Sequence, residues 1–425
     1  MRFFTKNFKK CAGVLDWYVE QFFKIFREKA RKNEPLKKIL NTCLFFIFLF
    51  FISCLGQISS DLYLPALPTI RHSFNTTEHW MQLTLAIYMF GFSLSHLIYG
   101  PLSDHYGRKK PLIVGMGICL FGALLCRFSP NVSTLISGRF LQGAGAGAGA
   151  AIFLSVLRDV YEGDRLAKIS SFLGISRVLL LASAPLIGGY LLHYFNWQAC
   201  FTFLIIYAAM CLVGTLFFFT ETNLKKIPHE VTIKRIAKNV WGLLTHPVFM
   251  SYTFCVMLAF GGILAWLTTL PFLLQDVVKL TPIQFGWICA ISGLFFIVGG
   301  VLNALFVEKC GLRKMLIIGL IIMFCGSVIM LIFGLMGIVD TVVIMVPVII
   351  YILGSSFIFS NAYAGAMQPF AKMAGTTAAV FGFLQILGGA ISSALMSMVH
   401  TYNQIPLAII LLLSAAIAFI TLRMN

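Results

Sequence analysis

Charged residues are scarce in this sequence. Only 11% of its 425 residues are Asp, Glu, Lys or Arg, while 59% are hydrophobic. Because soluble domains carry roughly a quarter charged residues, this composition excludes an ordinary soluble protein and indicates one embedded in a bilayer. Acidic residues are the scarcest, with 15 against 32 basic residues and a net charge of +17. The basic residues lie in the N-terminal segment and in connectors between apolar runs, so membrane topology explains them and we expect no nucleic-acid partner.

Motifs that would indicate other functions are also missing. The eleven cysteines include no C-x-x-C pair and no grouping with His at metal-ligand spacing, which argues against a disulfide framework and a zinc site. H-E-x-x-H and G-x-S-x-G do not occur, which disfavours a membrane-embedded enzyme. G-x-x-x-x-G-K-[ST] does not occur either, which disfavours an ATP-driven pump. We therefore expect no enzymatic activity, no cofactor and no metal.

Twelve apolar runs are long enough to cross a bilayer as helices. A hydrocarbon core of about 30 Å requires about 20 apolar residues per helix. Charged residues, Pro and Asn/Asp clusters separate the runs, which we predict at 39–62, 80–102, 111–128, 132–157, 167–192, 196–220, 247–273, 283–306, 313–336, 340–362, 374–398 and 404–422. The sequence therefore predicts an all-α polytopic membrane protein with twelve transmembrane helices.

The connectors predict the orientation of these helices. If the N-terminus is cytoplasmic, the outer side carries only Arg71, Arg127 and Lys279, and nearly all other Lys and Arg residues lie on the cytoplasmic side. Basic connectors stay in the cytoplasm, so we predict that both termini are cytoplasmic. Residues 1–38 lack the features of a cleavable signal peptide. Their apolar residues recur at helical spacing among basic ones, which predicts either an amphipathic helix on the inner leaflet or a basic extension that only enforces topology.

One short pattern occurs twice, half a chain apart. "GPLSDHYGRKK" at 100–110 aligns with "ALFVEKCGLRK" at 304–314, each with an acid three residues before a Gly and paired basic residues after it. Duplicated halves are common in secondary transporters, with the substrate site between them. We predict a basic N-terminal extension (1–38), a first six-helix bundle (39–220), a cytoplasmic connector (221–246) and a second six-helix bundle (247–425).

The first copy is the more complete, and its residue types suggest a gating loop. Gly100 and Gly107 permit a tight connection between antiparallel helices. Asp104 can accept hydrogen bonds from helix N-terminal amides or a basic partner, and Arg108 and Lys109 can bridge to the neighbouring bundle. We predict a charge latch at this loop that opens and closes between two states.

The loop "GPLSDHYGRKKPL" at 100–112 resembles the signature loop of the major facilitator superfamily. Four further stretches are similar to its Bcr/CflA (bicyclomycin-resistance-like) drug:proton antiporter subfamily, namely "DLYLPALP" at 61–68, "GRFLQGAGAGAGAA" at 138–151, "APLIGG" at 184–189 and "PFAKMAGTTAAVFGFLQ" at 369–385. The resemblance implies two six-helix pseudo-repeat bundles around a central cavity, in a bacterial inner membrane. The fifth run keeps Pro185, Gly188 and Gly189 of the exporter motif but has Ala184 and Leu180 where glycines are frequent, so the export direction follows from the subfamily likeness.

Charged residues inside the spans are informative because each costs about 2.5–3.5 kcal/mol at the bilayer midplane. Asp61 lies in the first span and Arg139 in the fourth, and the resemblance implies that both spans line the cavity. An ion pair between them is expected, and a carboxylate that exchanges an apolar surrounding for a nearby cation can bind and release a proton. We predict that Asp61 and Arg139 couple transport to protons. The alternative is that Asp61 only caps the helix ahead of Pro65.

Other residues are candidates for the cavity wall or for gating: Arg177, His96, Tyr88, Tyr252, Trp266 and Tyr351. His96 can relay protons or bond across helices, and the aromatic residues, with Trp287, can line the cavity or form interfacial belts. "GAGAGAGA" at 143–150 superficially resembles a phosphate-binding loop, but it lies within a span. We interpret Gly143/Gly147 and Gly145/Gly149 as pairs for close helix packing.

The sequence thus predicts a proton-coupled secondary transporter that exports amphipathic, drug-like small molecules by alternating access. Two alternatives in the same fold stay open, an exporter of a metabolite or siderophore and a nutrient importer. The expected partners are a small-molecule substrate, protons and the lipid bilayer, and we expect a monomer.

Overall fold

The computed structural model describes residues 36–161, 163–223, 240–400 and 402–423, and in these residues it contains twelve helices long and apolar enough to cross a membrane. They are α1 (Leu36–Asp61), α2 (Glu78–Tyr106), α3 (Lys109–Arg127), α4 (Val132–Val160), α5 (Gly163–Tyr194), α6 (Trp197–Phe217), α7 (Pro247–Pro271), α8 (Pro282–Cys310), α9 (Leu312–Leu335), α10 (Thr341–Met367), α11 (Ala374–Ser397) and α12 (Ile405–Arg423). The prediction of twelve helices is confirmed. The predicted amphipathic helix near the N-terminus lies outside the described residues.

Several helices extend beyond their predicted ends. We predicted that the second run ends at residue 102 and the tenth at 362, whereas α2 ends at Tyr106 and α10 at Met367. Polar residues and a proline ended the apolar runs in the sequence, but α2 continues through Pro101 into a polar last turn. Apolarity marks the part of a helix that crosses the hydrocarbon, and the helix itself continues past it.

Two helices of the bundle are broken near one end by proline. After α1, a 3₁₀ turn at Leu64–Ala66 leads into a short helix at Leu67–Ser73, and Pro65 lies at the break. After α7, which ends at Pro271, the chain continues as a π-helical segment at Phe272–Val277. Proline lacks an N–H and its ring clashes with the preceding turn, so it ends regular helix at both places.

The two halves of the chain repeat one architecture. Helices α2 and α8 run from residue 78 to 106 and from 282 to 310, the same offset of 204 residues. Gly107 follows the first with φ +89° and Gly311 follows the second with φ +79°. A positive φ suits glycine because it has no Cβ, so both glycines of the repeated pattern serve the same turn. We call the end of the bundle that carries these two turns the loop face.

Helices pack mainly with others of the same half, and two extensive helix pairs cross between the halves. Within the first half α4 packs against α1, α2 and α3, and within the second α10 packs against α7, α8 and α9. Between the halves, α2 lies along α11 and α5 lies along α8, which are equivalent pairs under the repeat. The exact division of the chain at residues 220 and 247 stays a prediction.

The glycines of α4 are positions of close helix packing, as predicted, although the two members of one predicted pair contact two different helices. A Cβ on Gly143 or Gly147 would overlap atoms of α2, at Tyr88 and at Ser95. A Cβ on Gly145 would instead overlap α3 at Cys119, and one on Gly149 would overlap α1 at Ile52. Their small size therefore lets three helices approach the backbone of α4 closely.

Candidate proton and substrate site

Asp61 lies at the break in the first span and is buried. It is the last residue of α1, and only 8% of its surface is exposed. Its carboxylate accepts a hydrogen bond from Ser60 Oγ and two from Gln57 Nε2, at 3.3 and 3.4 Å. In the part of the chain that the structure describes, each of these donors is a neutral group of the same helix. The site therefore holds a shielded carboxylate with no cation in direct contact.

Arg139 on α4 is fully buried nearby, between two tyrosine rings. Its guanidinium carbon lies 4.0 Å from the ring centroid of Tyr63 and 4.1 Å from that of Tyr88. Its Nη1 donates to the main-chain oxygen of Ser59 at 2.9 Å and to Gln142 Oε1 at 2.5 Å. Nε and Nη2 have no hydrogen-bond partner within the described residues. Ring faces and a carbonyl oxygen therefore hold this cation, and two of its donors are free for another acceptor.

The expected ion pair between Asp61 and Arg139 is not formed, and that expectation is corrected. Among the described residues, no ion pair within 4 Å includes either side chain. The physical reason is that Arg139 is already held by the carbonyl of Ser59, while Asp61 is held by Gln57 and Ser60. Asp61 lies at the end of α1 and Arg139 of α4 lies against the same stretch of α1, so the two groups interact through space without contact.

The tyrosine rings around Arg139 are fixed by hydrogen bonds to neighbouring helices. Tyr88 Oη donates to the main-chain oxygen of Gly56 on α1. Tyr63 Oη shares a hydrogen bond of 3.0 Å with Thr84 Oγ1 on α2. Both tyrosines are fully buried, so Tyr88 positions Arg139 within the helix packing and has no surface on an open cavity. The sequence did not reveal Tyr63, because a tyrosine within an apolar run has no local signal.

Arg177 and His96 lie on the interior side of the first half, at about the middle of their helices. The Arg177 side chain on α5 is within hydrogen-bonding reach of the Cys54 thiol on α1, and its guanidinium lies 5.7 Å from the Phe153 ring on α4. His96 Nδ1 donates to the main-chain oxygen of Phe92 on its own helix at 3.0 Å. Both side chains are partly exposed. Their predicted place in the cavity wall stays a prediction.

The aromatic candidates of the second half divide by exposure. Trp266 and Tyr351 are each only 2% exposed, so they fill the core of this half and the expectation that they line an open cavity is corrected. The reason is close helix packing, since Gly262 on α7 brings its backbone against the Tyr351 hydroxyl. Tyr252 is partly exposed and packs against Gly365 of α10, while Trp287 is 52% exposed on the outside of α8.

The predicted gating loop is organised around a buried arginine. Arg108 is 6% exposed and donates through Nη1 to Ser103 Oγ at 2.8 Å and to Asp104 Oδ1 at 2.5 Å. Its Nε and Nη2 donate to the two carboxylate oxygens of Asp159, at 2.9 and 3.2 Å. These partners lie on α2 and α4, so the expectation that Arg108 bridges to the neighbouring bundle is corrected. We call Arg108, Ser103, Asp104 and Asp159 the arginine clasp.

A second acid that follows α6 completes the loop. The Glu221 carboxylate accepts hydrogen bonds from the backbone N–H groups of Arg108 at 2.9 Å, Lys109 at 3.2 Å and Asn223 at 2.9 Å. Burial alone would raise the pKa of Glu221, but these N–H donors outweigh it and lower the pKa below its usual value. Burial alone would lower the pKa of Arg108, whereas its bonds to the clasp carboxylates raise it.

The second copy of the loop keeps the turn but lacks the clasp. Leu312 stands where the first copy has Arg108, and in the described part of the chain Glu308 makes no ion pair. Arg313 makes one long hydrogen bond, 3.5 Å from Nη2 to the main-chain oxygen of Leu422. The two halves therefore share backbone geometry at the loop face and differ in the side chains that fix it.

At the end of the bundle opposite the loop face, an ion pair joins the two halves. Arg71 Nη1 on the short helix after α1 lies 3.1 Å from Asp276 Oδ2, in the π-helical segment after α7. The Arg71 guanidinium also lies 5.7 Å from the Phe272 ring centroid. About a quarter of each charged side chain is exposed. We predicted Arg71 only as a connector charge, because a contact between residues 205 positions apart has no local signal.

Two further hydrogen bonds join the halves at this same end. Gln275 Nε2 donates to the main-chain oxygen of Pro65 at 3.1 Å. His79 Nδ1, at the start of α2, donates to the main-chain oxygen of Ser397 at the end of α11, at 2.7 Å. In this conformation the halves are therefore held together at the end opposite the loop face. The Arg71–Asp276 ion pair and these two hydrogen bonds form what we call the opposite-face closure.

The glycine and proline motif of α5 contributes to the same closure. A Cβ on Gly188 would overlap the main-chain oxygen of Leu62, and one on Gly189 would overlap that of Pro282, at the start of α8. The main chain at Pro185 lies close to Gly286 of α8 in the same way. The three motif residues therefore bring α5 against the break after α1 and against the second half.

Twelve spanning helices in two related halves, with buried charges between apolar spans, define a secondary transporter by architecture. The family model for the Major Facilitator Superfamily matches residues 49–393. The chain is 27% identical to "Multidrug resistance protein D" of Escherichia coli over 371 residues, covering 86% of this chain and 92% of that protein. It is 26% identical to "Bicyclomycin resistance protein homolog" of Haemophilus influenzae over 367 residues, covering 86% and 92%.

The fold comparison agrees with the sequence comparison. The solved structure of the peptide transporter POT in complex with sulfate superposes with a TM-score of 0.71 at 16% identity, covering 90% of this chain and 93% of that one. The chain belongs to the Major Facilitator Superfamily and is a multi-pass membrane transporter of small molecules. The predicted resemblance to the superfamily and its bicyclomycin-resistance-like subfamily is confirmed, and so is the all-α, twelve-helix fold.

Proposed function

We propose that this protein exports drug-like, amphipathic small molecules in exchange for protons, by alternating access across a bacterial inner membrane. The observation that carries the proposal is the buried Asp61 carboxylate at the break of α1, next to but not paired with Arg139. The names of the relatives, multidrug resistance protein D and a bicyclomycin resistance homolog, support drug-like substrates. We further propose that the protein is a monomer without enzymatic activity and that both termini are cytoplasmic.

The geometry supports a mechanism in which Asp61 exchanges a proton and Arg139 responds. When ionised, Asp61 is held by the Ser60 and Gln57 donors, and the Arg139 guanidinium balances its charge through space. Protonation removes that negative charge. The site then carries the net positive charge of Arg139, two of whose donors are free. Each proton that moves inward contributes about 2.3 kcal/mol per 100 mV of membrane potential, which can drive uphill export.

Alternating access then requires the opposite-face closure to break while the loop face closes. In the described conformation, polar bonds between the halves lie at the end opposite the loop face. The break after α1 contains Asp61 at one side and leads into the helix that carries Arg71. A change in the charge of Asp61 can therefore act on this closure through one short, proline-containing segment.

The experiment measures bicyclomycin transport driven by a pH gradient, with the purified full chain in proteoliposomes. An imposed pH gradient should drive uphill bicyclomycin transport by the wild type, and Asp61→Asn should abolish it while downhill exchange continues. Asp340→Asn is the matched control, because Asp340 is an exposed helix cap whose role Asn can fill. Uphill transport by Asp61→Asn at the wild-type rate would refute the proposal.

A further inference from the structure

The charged residues in the middle of the described spans do not balance. Away from the span ends, the described spans contain three charged side chains, Asp61, Arg139 and Arg177. One is acidic and two are basic. Even if Asp61 is ionised and balances Arg139, one positive charge is left over at Arg177. A charge in a low-dielectric span is expensive unless a counter-charge or hydrogen bonds compensate it.

Arg177 has little compensation from the protein itself. Its contacts are the neutral Cys54 thiol and the Phe153 ring, and its Nε is buried without a hydrogen-bond partner in the described residues. No described carboxylate lies within ion-pair distance of it. The neighbouring His96 adds no negative charge, because an imidazole is neutral or positive. The uncompensated charge contrasts with Arg108, whose guanidinium binds two carboxylates.

The side chain of Arg177 points into the protein. Its contacts come from α1 and α4, which pack together inside the first half, and α5 itself lies along α8 of the second half. The side chain is nevertheless partly exposed. His96, which lies close enough to Arg177 for their charges to interact, packs against Gly382 of α11 in the second half. Arg177 therefore lies beside the contact between the halves, where a transported molecule would bind.

We infer that Arg177 binds an acidic group of the transported molecule, so that this carrier prefers amphiphiles with a carboxylate or a similar anion over permanent cations. The inference rests on the proposed function and specifies its substrate class. A planar guanidinium forms paired hydrogen bonds with a carboxylate, and the neighbouring Phe153 ring suits the apolar part of such a molecule. A cationic molecule would instead be repelled at short range by the positive charge of Arg177.

The test compares three fluorescent probes that share a dansyl ring and differ in charge: dansylglycine (anionic), dansylamide (neutral) and dansylaminoethyl-trimethylammonium (cationic). Their dissociation constants are measured by fluorescence on the full chain in detergent. For the wild type we expect dansylglycine to bind at least about 10-fold more tightly than the cation. Equal or tighter binding of the cation would overturn the inference without any variant being needed.

Variants test whether Arg177 causes the preference for the anionic probe over the cationic one. Arg177→Gln should weaken dansylglycine about 10-fold and leave dansylamide within about twofold, whereas Arg177→Lys should keep the order of the three probes. Arg127→Gln is the matched control, because Arg127 is at the end of α3 and bonds to Thr202 at 3.0 Å. Unchanged dansylglycine binding in Arg177→Gln would overturn the assignment. If pH-driven transport fails while the binding order holds, the proposed function fails alone; if transport runs and the order reverses, this inference fails alone.

Discussion

Removing the arginine of the clasp should destabilise the first half of the protein. The perturbation is Arg108→Ala, which deletes four hydrogen bonds, two to Asp159 and one each to Asp104 and Ser103. Breaking a buried ion pair from one side costs about 3–5 kcal/mol. The Asp104 side chain is 49% exposed and that of Asp159 is 19% exposed, so water can replace part of the lost bonding. We therefore expect a loss of about 2–3 kcal/mol, below the range for a fully buried pair.

That loss corresponds to a measurable change in melting temperature. For domains of 150–250 residues, 1 kcal/mol shifts the midpoint by about 2–4 °C, so Arg108→Ala should lower it by roughly 4–12 °C. The assay is intrinsic fluorescence of the detergent-purified protein on heating, which its six tryptophans permit. Arg313→Ala is the control from the second copy of the loop, where only one long hydrogen bond is lost.

The outcome that refutes this reasoning is specific. If Arg108→Ala and Arg313→Ala melt at the same temperature, the clasp does not stabilise the first half, and the loop acts in some other way. A large loss of transport with an unchanged melting temperature would favour the predicted charge latch instead. Asp159→Asn should lie between wild type and Arg108→Ala, because it keeps a hydrogen-bond acceptor and loses the charge.

Three further predictions concern the opposite-face closure, the glycines of α4 and the stability of the protein at low pH. Arg71→Gln or Asp276→Asn should raise the rate of amide hydrogen exchange in the short helix after α1 several-fold, because a partly exposed ion pair contributes up to about 1 kcal/mol. The double variant R71D/D276R, which swaps the two charges, should restore the wild-type rate. Gly143→Ala should cost about 1–3 kcal/mol in the melting assay because its Cβ overlaps a carbonyl, whereas Gly117→Ala meets no atom within 4 Å and should be neutral; equal melting would contradict the packing assignment. The folded-state pKa of Glu221 is lowered, so the stability that its carboxylate contributes is complete above the ordinary value of 4.5 and is lost as pH falls through the lower folded value. Glu221→Gln should therefore make the melting temperature less dependent on pH in this acidic range. The same pH dependence in the variant and the wild type would disprove this prediction.

Periodicity and apolarity were enough to predict the helices, because a span is a local property of about 20 consecutive residues. The repeated loop was also predictable, since Gly107 and Gly311 adopt the same unusual φ and the pattern around them is local. Only one of the two carboxylate partners of Arg108 could be predicted from the sequence. Asp104 lies four residues away on one turn of chain, whereas Asp159 lies 51 residues away on another helix and nothing in the sequence pairs the two.

The candidate site shows the same limit. Asp61 and Arg139 were recognisable because charge is rare inside spans, and the structure does place both against the same stretch of α1. Their expected contact was wrong, because the choice between a carboxylate and two tyrosine rings depends on side-chain packing across three helices. Tyr63, which holds Arg139 from one side, had no local signal in the sequence.

The glycine face of α4 has a consequence for how this carrier can adapt. Backbone or side-chain atoms of α1, α2 and α3 occupy the places where side chains at Gly143, Gly145, Gly147 and Gly149 would have to go. A substitution there displaces a neighbouring helix, so laboratory selection for resistance to new compounds should rarely yield changes at these four glycines. Partly exposed positions such as Arg177 and Tyr252 are free of that constraint. Changes in substrate range should therefore accumulate at these positions, while Gly143, Gly145, Gly147 and Gly149 stay unchanged among the selected clones.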